Sequence, residues 1–158
     1  MGDTIVGLDD IDRVILKMLS ENARVSLQDI ATALGMSRAT IHERVKKLNA
    51  NGYVRGYKAD LDWALLGYPV VAWVALQTEQ GSASYFVLDD LGEIPEVESA
   101  YMVAGRFDCL VKIRATGHEH LQRLLFDRVG MIRGFRRAET LVVLSAPLEN
   151  EVGRLLDK

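Results

Sequence analysis

The chain has one cysteine, Cys109, so no internal disulfide can form and no multi-thiolate metal site can be built within one copy. Its ordinary role is that of a small apolar residue in a strand. No apolar run approaches the roughly 20 residues that span a bilayer, and the opening MGDTIVGLDD lacks the basic stretch and apolar core of a secretory leader. These absences predict a cytoplasmic protein. Histidine clusters are missing as well. His118, Glu119 and His120 give an H-x-H at a predicted helix start, without the cysteine partners or second cluster that a zinc site needs, and read as solvated residues. Neither a metal nor any other cofactor is implied. Overall positive charge is also lacking: the net charge of −3 argues against indiscriminate nucleic-acid binding.

What is present is the composition of a folded protein, with 158 residues, 49% hydrophobic and 26% charged. That length suits one medium domain or two small ones. The charge is unevenly spread. Between Arg24 and Lys58 the bases Arg24, Arg38, Arg44, Lys46, Lys47, Arg55 and Lys58 face only two acids, Asp29 and Glu43, a local surplus on an acidic chain. Any nucleic-acid footprint is therefore local.

That surplus surrounds the run LQDIATALGMSRATIHERVKK at 27–47. Leu27, Ile30, Ala31 and Leu34 fall on one helical face. Gly35 supplies a residue that tolerates φ > 0 past a helix end, and Ser37 is a good N-cap for the next helix. In that helix Ile41, Val45 and Leu48 share a face. The pattern predicts a helix-turn-helix whose second helix enters a DNA major groove. Ser37, Arg38, Thr40, His42 and Glu43 lie on its exposed N-terminal part, where base edges are reached and Ser37 can donate to a phosphate. Arg44, Lys46 and Lys47 are expected on phosphates. Glu43 has a second reading, an i, i+4 surface pair with Lys47.

A helix over 8–19 precedes this, with Leu8, Ile11, Ile15 and Met18 or Leu19 at helical spacing and Asp9 as cap. Its apolar face packs on the following two helices. Ser26 and Asp29 have capping-box spacing, although aspartate is shorter than the usual glutamate. The third helix should stop at Asn51-Gly52. After it, Tyr53 to Asp60 predicts a short wing-like strand or hairpin, from which Arg55 and Lys58 reach phosphates; a solvated connector is the plainer reading. The first domain thus runs over 1–60, a linker with a brief helical turn over 61–68, and a second domain over 69–158.

The second half changes rhythm. VVAWVALQ at 70–77 is apolar on both alternating faces, as in a strand covered on both sides. A helix over 82–91 with Phe86, Val87 and Leu91 inward, a strand over 98–104, a turn at Gly105-Arg106-Phe107 and a strand over 108–114 follow. A helix over 117–129 carries Leu121, Leu124, Leu125 and Val129 at helical spacing. A strand over 139–145 and a helix over 148–156 complete the chain. The fold class is α+β: a winged helix-turn-helix followed by a ferredoxin-like βαββαβ domain with helices on one face of the sheet. The open face is expected to meet a second copy in a symmetric dimer. Two recognition helices can then engage half-sites about 34 Å apart on a palindromic operator. The two tryptophans, Trp63 and Trp73, read as packing residues.

Leu8-Asp9 with Asp12, Leu48 through Gly52, Gly56-Tyr57, Leu66-Gly67 and Gly105-x-Phe107-Asp108 occur in an order and spacing that resemble the Lrp/AsnC (feast/famine) family of transcription regulators over nearly the whole chain. The resemblance implies a winged helix-turn-helix joined to an effector-binding module of RAM/ACT-like fold, control by an amino acid or related small molecule, and dimers that assemble to octamers. It also implies an effector site at the Gly105 to Asp108 turn, where Gly105 lets backbone N–H groups approach a ligand carboxylate and Asp108 can accept from an ammonium. Carried over residue by residue, that site takes in Met102, Val103, Gly105, Arg106, Phe107, Asp108, His118, Thr140 and Leu141. Arg106 departs from the family, where many members carry an acidic or small residue; a cation there favours an acidic ligand or an additional carboxylate contact. The plainer reading of Gly105 and Asp108 is a good hairpin turn. Two other function classes stand beside the regulator: an effector-independent architectural DNA binder, and an enzyme like the sirohaem decarboxylases, which share the two-domain plan. No catalytic constellation supports the latter.

Overall fold

A computed structural model describes residues 7–79, 83–145 and 156, with only the backbone for 83–85. They form two compact units. Residues up to Asp60 make one, joined by Leu156, and Leu61–Pro147 make the other. The stretch to residue 158 was expected with the second domain, yet its one described residue groups with the first. The helix expected over 148–156 otherwise lies outside the described residues.

Three helices build the first unit: α1 (Asp10–Glu21), α2 (Leu27–Leu34) and α3 (Arg38–Ala50). Each starts where a short polar side chain satisfies an orphan amide. Asp9 accepts from the Asp12 N–H at 2.8 Å while Asp12 reaches back to the Asp9 N–H at 3.4 Å, a complete capping box made of two aspartates. At α2 the box is incomplete. Ser26 accepts from the Asp29 N–H, but its hydroxyl donates to the Asp29 carboxylate at 2.7 Å, which draws the short acid away from the cap backbone. Gly35 ends α2 at φ 63°, a conformation that costs a side-chain-bearing residue about 1–2 kcal/mol. The helices bury Ile15, Leu19, Ile30, Ala31, Ile41 and Leu48 against one another, each large side chain contributing about 1.5–3 kcal/mol.

The wing is not formed as a hairpin. Residues 54–60 carry no strand pairing, so they are the connector of the plainer reading. Gly56, at φ 153°, interrupts the β-prone run, and among the described residues of the unit that run has no ladder partner. The expected helical turn follows it: the Leu66 N–H bonds Asp62 O and the Tyr68 N–H bonds Trp63 O.

The second unit is a four-stranded antiparallel sheet, β1 (Val70–Thr78), β2 (Val97–Met102), β3 (Cys109–Ala115) and β4 (Phe135–Val142), in the order β2-β3-β1-β4. With α4 (Ala83–Gly92) and α5 (His118–Arg123) as crossovers, this is the ferredoxin-like order. Ala72, Val74 and Leu76 of β1 and Cys109, Val111, Ile113 and Ala115 of β3 are buried against Val87, Leu91, Leu121, Leu124 and Val129. The alternate positions, among them Val71, Trp73, Leu110 and Leu141, lie on the face without helices.

Three expectations need correcting here. Phe86 is not inward but 44% exposed, its ring under the Arg133 guanidinium at 4.5 Å. The second long helix is not regular throughout. It changes to a π turn over Leu124–Arg128 and a 3₁₀ turn over Val129–Met131. Leu124 and Val129 are both buried though five residues apart, and the wider π turn returns Val129 to the sheet where an α-helix would have returned Arg128. Finally, β4 starts at Phe135 and ends at Val142, earlier than expected. The length of β1 decides this, because it offers partners from Ala72 to Thr78.

Candidate nucleic-acid interface and effector site

The first candidate surface is α3. Ser37 caps it, accepting from the Thr40 N–H at 3.1 Å, and the two hydroxyls lie 2.8 Å apart. At about 100° per residue, Ala39, Glu43 and Lys46 point away from the buried Ile41 and Leu48, with His42 and Lys47 on the flanks. Arg38, Thr40, His42, Glu43, Lys46 and Lys47 are all exposed, so this helix offers a free polar face with its bases toward the C-terminal half. The Glu43 carboxylate is turned to His42 Nδ1 at 3.4 Å. Arg55 and Lys58 stand exposed on the connector, without a hairpin to project them.

Arg44 differs from its neighbours. Its Nη1 lies 2.7 Å from Asp9 Oδ2 and 2.7 Å from Asp12 Oδ1, so the guanidinium expected on a phosphate is engaged with α1. The backbone N–H of Asp12, and then Arg44, hold the Asp9 carboxyl below its usual value. The two carboxylates in turn raise the Arg44 guanidinium, Asp12 first.

The second candidate is the turn between β2 and β3, which gathers part of the predicted effector set. Met102 pairs with Cys109, and the Val103 N–H donates to Asp108 O at 3.0 Å. Gly105 sits at φ 151° with nothing near where a Cβ would stand. Asp108 already has work: its Oδ2 accepts from the Thr78 N–H at 2.8 Å and the Thr78 hydroxyl at 3.3 Å, fastening the end of β1. Among the described residues its Oδ1 takes no hydrogen bond. Arg106 reaches across to Glu139 at 3.2 Å and stacks over Phe107 at 4.7 Å, while Gln77 Nε2 donates to its carbonyl.

The other three residues are elsewhere. His118 follows the far end of β3, and at about 3.3 Å per residue that end is roughly 20 Å from the turn. Thr140 pairs with Val74 and Leu141 with Trp73, so they lie on opposite faces of the sheet. A single chain thus unites Met102 through Asp108, leaves His118 at the far end of β3, and divides Thr140 and Leu141 between the two faces of the sheet. His120 is not solvated as read. The Thr116 N–H donates to its Nδ1 at 3.3 Å and its Nε2 lies 3.3 Å from Glu96. No group of three or more metal-ligating side chains occurs among the described residues, and no described helix is long and apolar enough to cross a membrane.

Sequence reasoning missed a pocket of about 370 Å³ lined by Trp63, Tyr68, Pro95, Glu96, Glu98 and Arg114. The Arg114 guanidinium lies 5.7 Å from the Trp63 ring centre and bonds Glu98. Its wall comes from positions up to fifty residues apart, which no local pattern links. Cys109 is fully buried in β3, and burial pushes its thiol up.

Comparison with known proteins assigns each half of the chain to a known domain type. Residues 8–55 match a winged helix-turn-helix DNA-binding model, and residues 70–152 match the Lrp/AsnC ligand binding domain. The chain is 34% identical to the HTH-type transcriptional regulator FL11 of Pyrococcus horikoshii, over 91% of this chain and 94% of that protein. It is 30% identical to the regulatory protein AsnC of Escherichia coli, over 89% and 93%. The E. coli AsnC structure superposes with a TM-score of 0.87 at 29% identity, covering 93% of this chain and 99% of that one. A Neisseria meningitidis transcriptional regulator in complex with L-Met shares the fold, with a TM-score of 0.88 at 23% identity, over 93% and 96% of the two chains.

Proposed function

The chain belongs to the Lrp/AsnC family of ligand-modulated, DNA-binding transcriptional regulators, and from that premise we propose how its parts divide the work. The exposed face of α3 enters the major groove, with Arg38, Thr40 and His42 toward base edges and Lys46 and Lys47 on phosphates. The observation that carries this reading is the Ser37-capped helix, whose polar residues are solvent-exposed. Arg55 and Lys58 add backbone contacts from the connector.

The effector is an amino acid or a related small molecule held at the turn from Met102 to Asp108. The free Oδ1 of Asp108 receives its ammonium, and backbone N–H groups beside Gly105 its carboxylate. His118, at the far end of β3, would contribute only from a neighbouring copy, whereas Thr140 and Leu141 directly follow Glu139, which Arg106 of the turn reaches. Assembly follows from the sheet. Trp73, Leu110 and Leu141 give its open face an apolar surface, which pairs with the same face of a second copy in a two-fold dimer; dimers then associate further, to octamers. In this reading the chain performs no catalysis and works in the cytoplasm, where its DNA is.

The test starts from a random-sequence duplex pool. The protein should enrich a palindromic sequence, and one of the twenty amino acids should change the footprint on it and raise the melting temperature by mass action. Enrichment without any amino-acid effect leaves the architectural reading in place of the regulatory one. No enrichment, together with binding of sirohaem, would establish the enzyme reading.

A further inference from the structure

Arg44 lies on α3 between the buried Ile41 and Leu48, one helical turn from each, at the edge of the face that packs inward. Its side chain crosses to the start of α1, and the arrangement there is economical. Asp9 uses Oδ1 for the Asp12 N–H and Oδ2 for Arg44; Asp12 uses Oδ2 for the Asp9 N–H and Oδ1 for Arg44. Both carboxylates of the capping box are thus shared between the helix they cap and the guanidinium of α3. Asp12 and Arg44 keep only 14% and 26% of their side-chain surface exposed against 50% for Asp9, so the Asp12 arm of the contact is shielded in a way surface pairs are not.

We propose that Arg44 is a positioning residue for DNA reading: clamped by Asp9 and Asp12, it fixes the rotation of α3 about its own axis and so the direction in which Arg38, Thr40 and His42 point, and it binds no phosphate. Among the described residues, the core contacts of α3 through Ile41, Val45 and Leu48 are apolar and non-directional. Ile41, Val45 and Leu48 hold the helix against the core but tolerate a few degrees of roll. A guanidinium held at 2.7 Å by two separate carboxylates supplies the directional restraint. Base readout needs that restraint, because bidentate pairing to base edges is lost with small misalignment, whereas phosphate contacts through flexible lysines adapt.

The inference rests on the reading of α3 as the recognition helix, and the experiment separates the two. The full-length wild type, Arg44→Ala, Arg44→Lys, Asp12→Asn, the Arg44→Ala/Asp12→Asn double variant and Lys46→Ala are titrated with the duplex the wild type enriches and with a scrambled duplex, at several salt concentrations. If the wild type enriches nothing, the reading of α3 itself fails and the positioning role with it.

Otherwise Arg44→Ala and Asp12→Asn should each weaken the enriched duplex by about tenfold and the scrambled one by less than twofold, with the salt slope unchanged. The double variant should be no weaker than the worse single one, because both break the same contact. Arg44→Lys, which keeps the charge on a shorter, freely rotating ammonium in place of the Nη1 that meets both carboxylates, should fall between. Lys46→Ala should instead weaken both duplexes and lower the slope by about 0.9, one phosphate contact. A slope drop of that size in Arg44→Ala, with Asp12→Asn unaffected, overturns the proposal in favour of a phosphate role. Equal loss on both duplexes overturns it in favour of simple destabilisation. Should Arg44→Ala not fold, Arg44→Lys and Asp12→Asn decide by the same ratios.

Discussion

The Arg106 guanidinium lies 3.2 Å from the Glu139 carboxylate, which brings the turn between β2 and β3 over the end of β1 to the opposite edge strand. Both side chains are substantially exposed, 75% and 41%. Solvent therefore screens the pair, and its worth to stability is below about 1 kcal/mol. Its effect is on where the charge is available. Held by Glu139, Arg106 is partly neutralised toward any ligand at Gly105.

Glu139→Gln should leave the unfolding free energy within about 1 kcal/mol of wild type while freeing the Arg106 charge. A thermal-shift series with aspartate, glutamate, leucine and methionine should show the acidic pair gaining relative to the apolar pair. An unchanged ranking would remove Arg106 from the ligand site.

Acid stability should depend on Asp90. The Arg133 side chain, and then its backbone N–H, hold the Asp90 carboxyl below its ordinary value, through contacts of 2.6–3.2 Å. A carboxyl depressed in the folded state contributes stability above its unfolded pKa, about 3.9, and loses it as pH falls through the folded value. Asp90→Asn should thus melt below wild type at pH 7, with the gap closing under about pH 4. A gap that stays constant to pH 3 would count against the pairing.

Burial makes Cys109 a packing residue. The native thiol should react with Ellman's reagent many times more slowly than the same thiol in urea, since burial disfavours the thiolate. Cys109→Ala should be tolerated with a loss of about 1 kcal/mol, and Cys109→Ser should cost about 1–3 kcal/mol where the hydroxyl finds no partner. Fast native labelling would refute the placement in β3.

Trp73 stands between Lys112 of β3 and Leu141 of β4 on the open face of the sheet. Trp73→Glu combined with Leu141→Lys should convert the assembly to monomers in sedimentation equilibrium while the far-ultraviolet circular dichroism is kept. DNA affinity should fall at least tenfold with it, because half-site pairing is lost. An assembly of unchanged mass would mean that another surface joins the copies.

Much of the fold was legible because its signals are local. Asp9, Ser26 and Ser37 mark three helix starts, Gly35 marks a helix end by a left-handed conformation that other residues adopt at a cost, and the unbroken apolar run at 70–77 predicts β1. The order of strands and helices then leaves few topologies, and the ferredoxin-like one is observed. Signals failed where a neighbour decided the outcome. Tyr53 to Asp60 has strand propensity but no partner strand among the described residues of its unit, and Phe86 has the spacing of a core residue but was drawn to Arg133 at the surface.

The candidate sites divide along the same line. The sequence alone determined that a capped, polar-faced helix follows a glycine turn, and that Gly105, Arg106 and Asp108 share another turn, since both depend on residues within a few positions of each other. Only tertiary structure decided which of those side chains are free. Arg44 and Lys46 are both cations on one helix, two positions apart. Packing turned Arg44 toward Asp9 and Asp12, which the chain places more than thirty residues earlier, and left Lys46 in solvent. Charge and helical periodicity are properties of the chain; whether a charge is already neutralised depends on which distant residue the fold brings within hydrogen-bond reach.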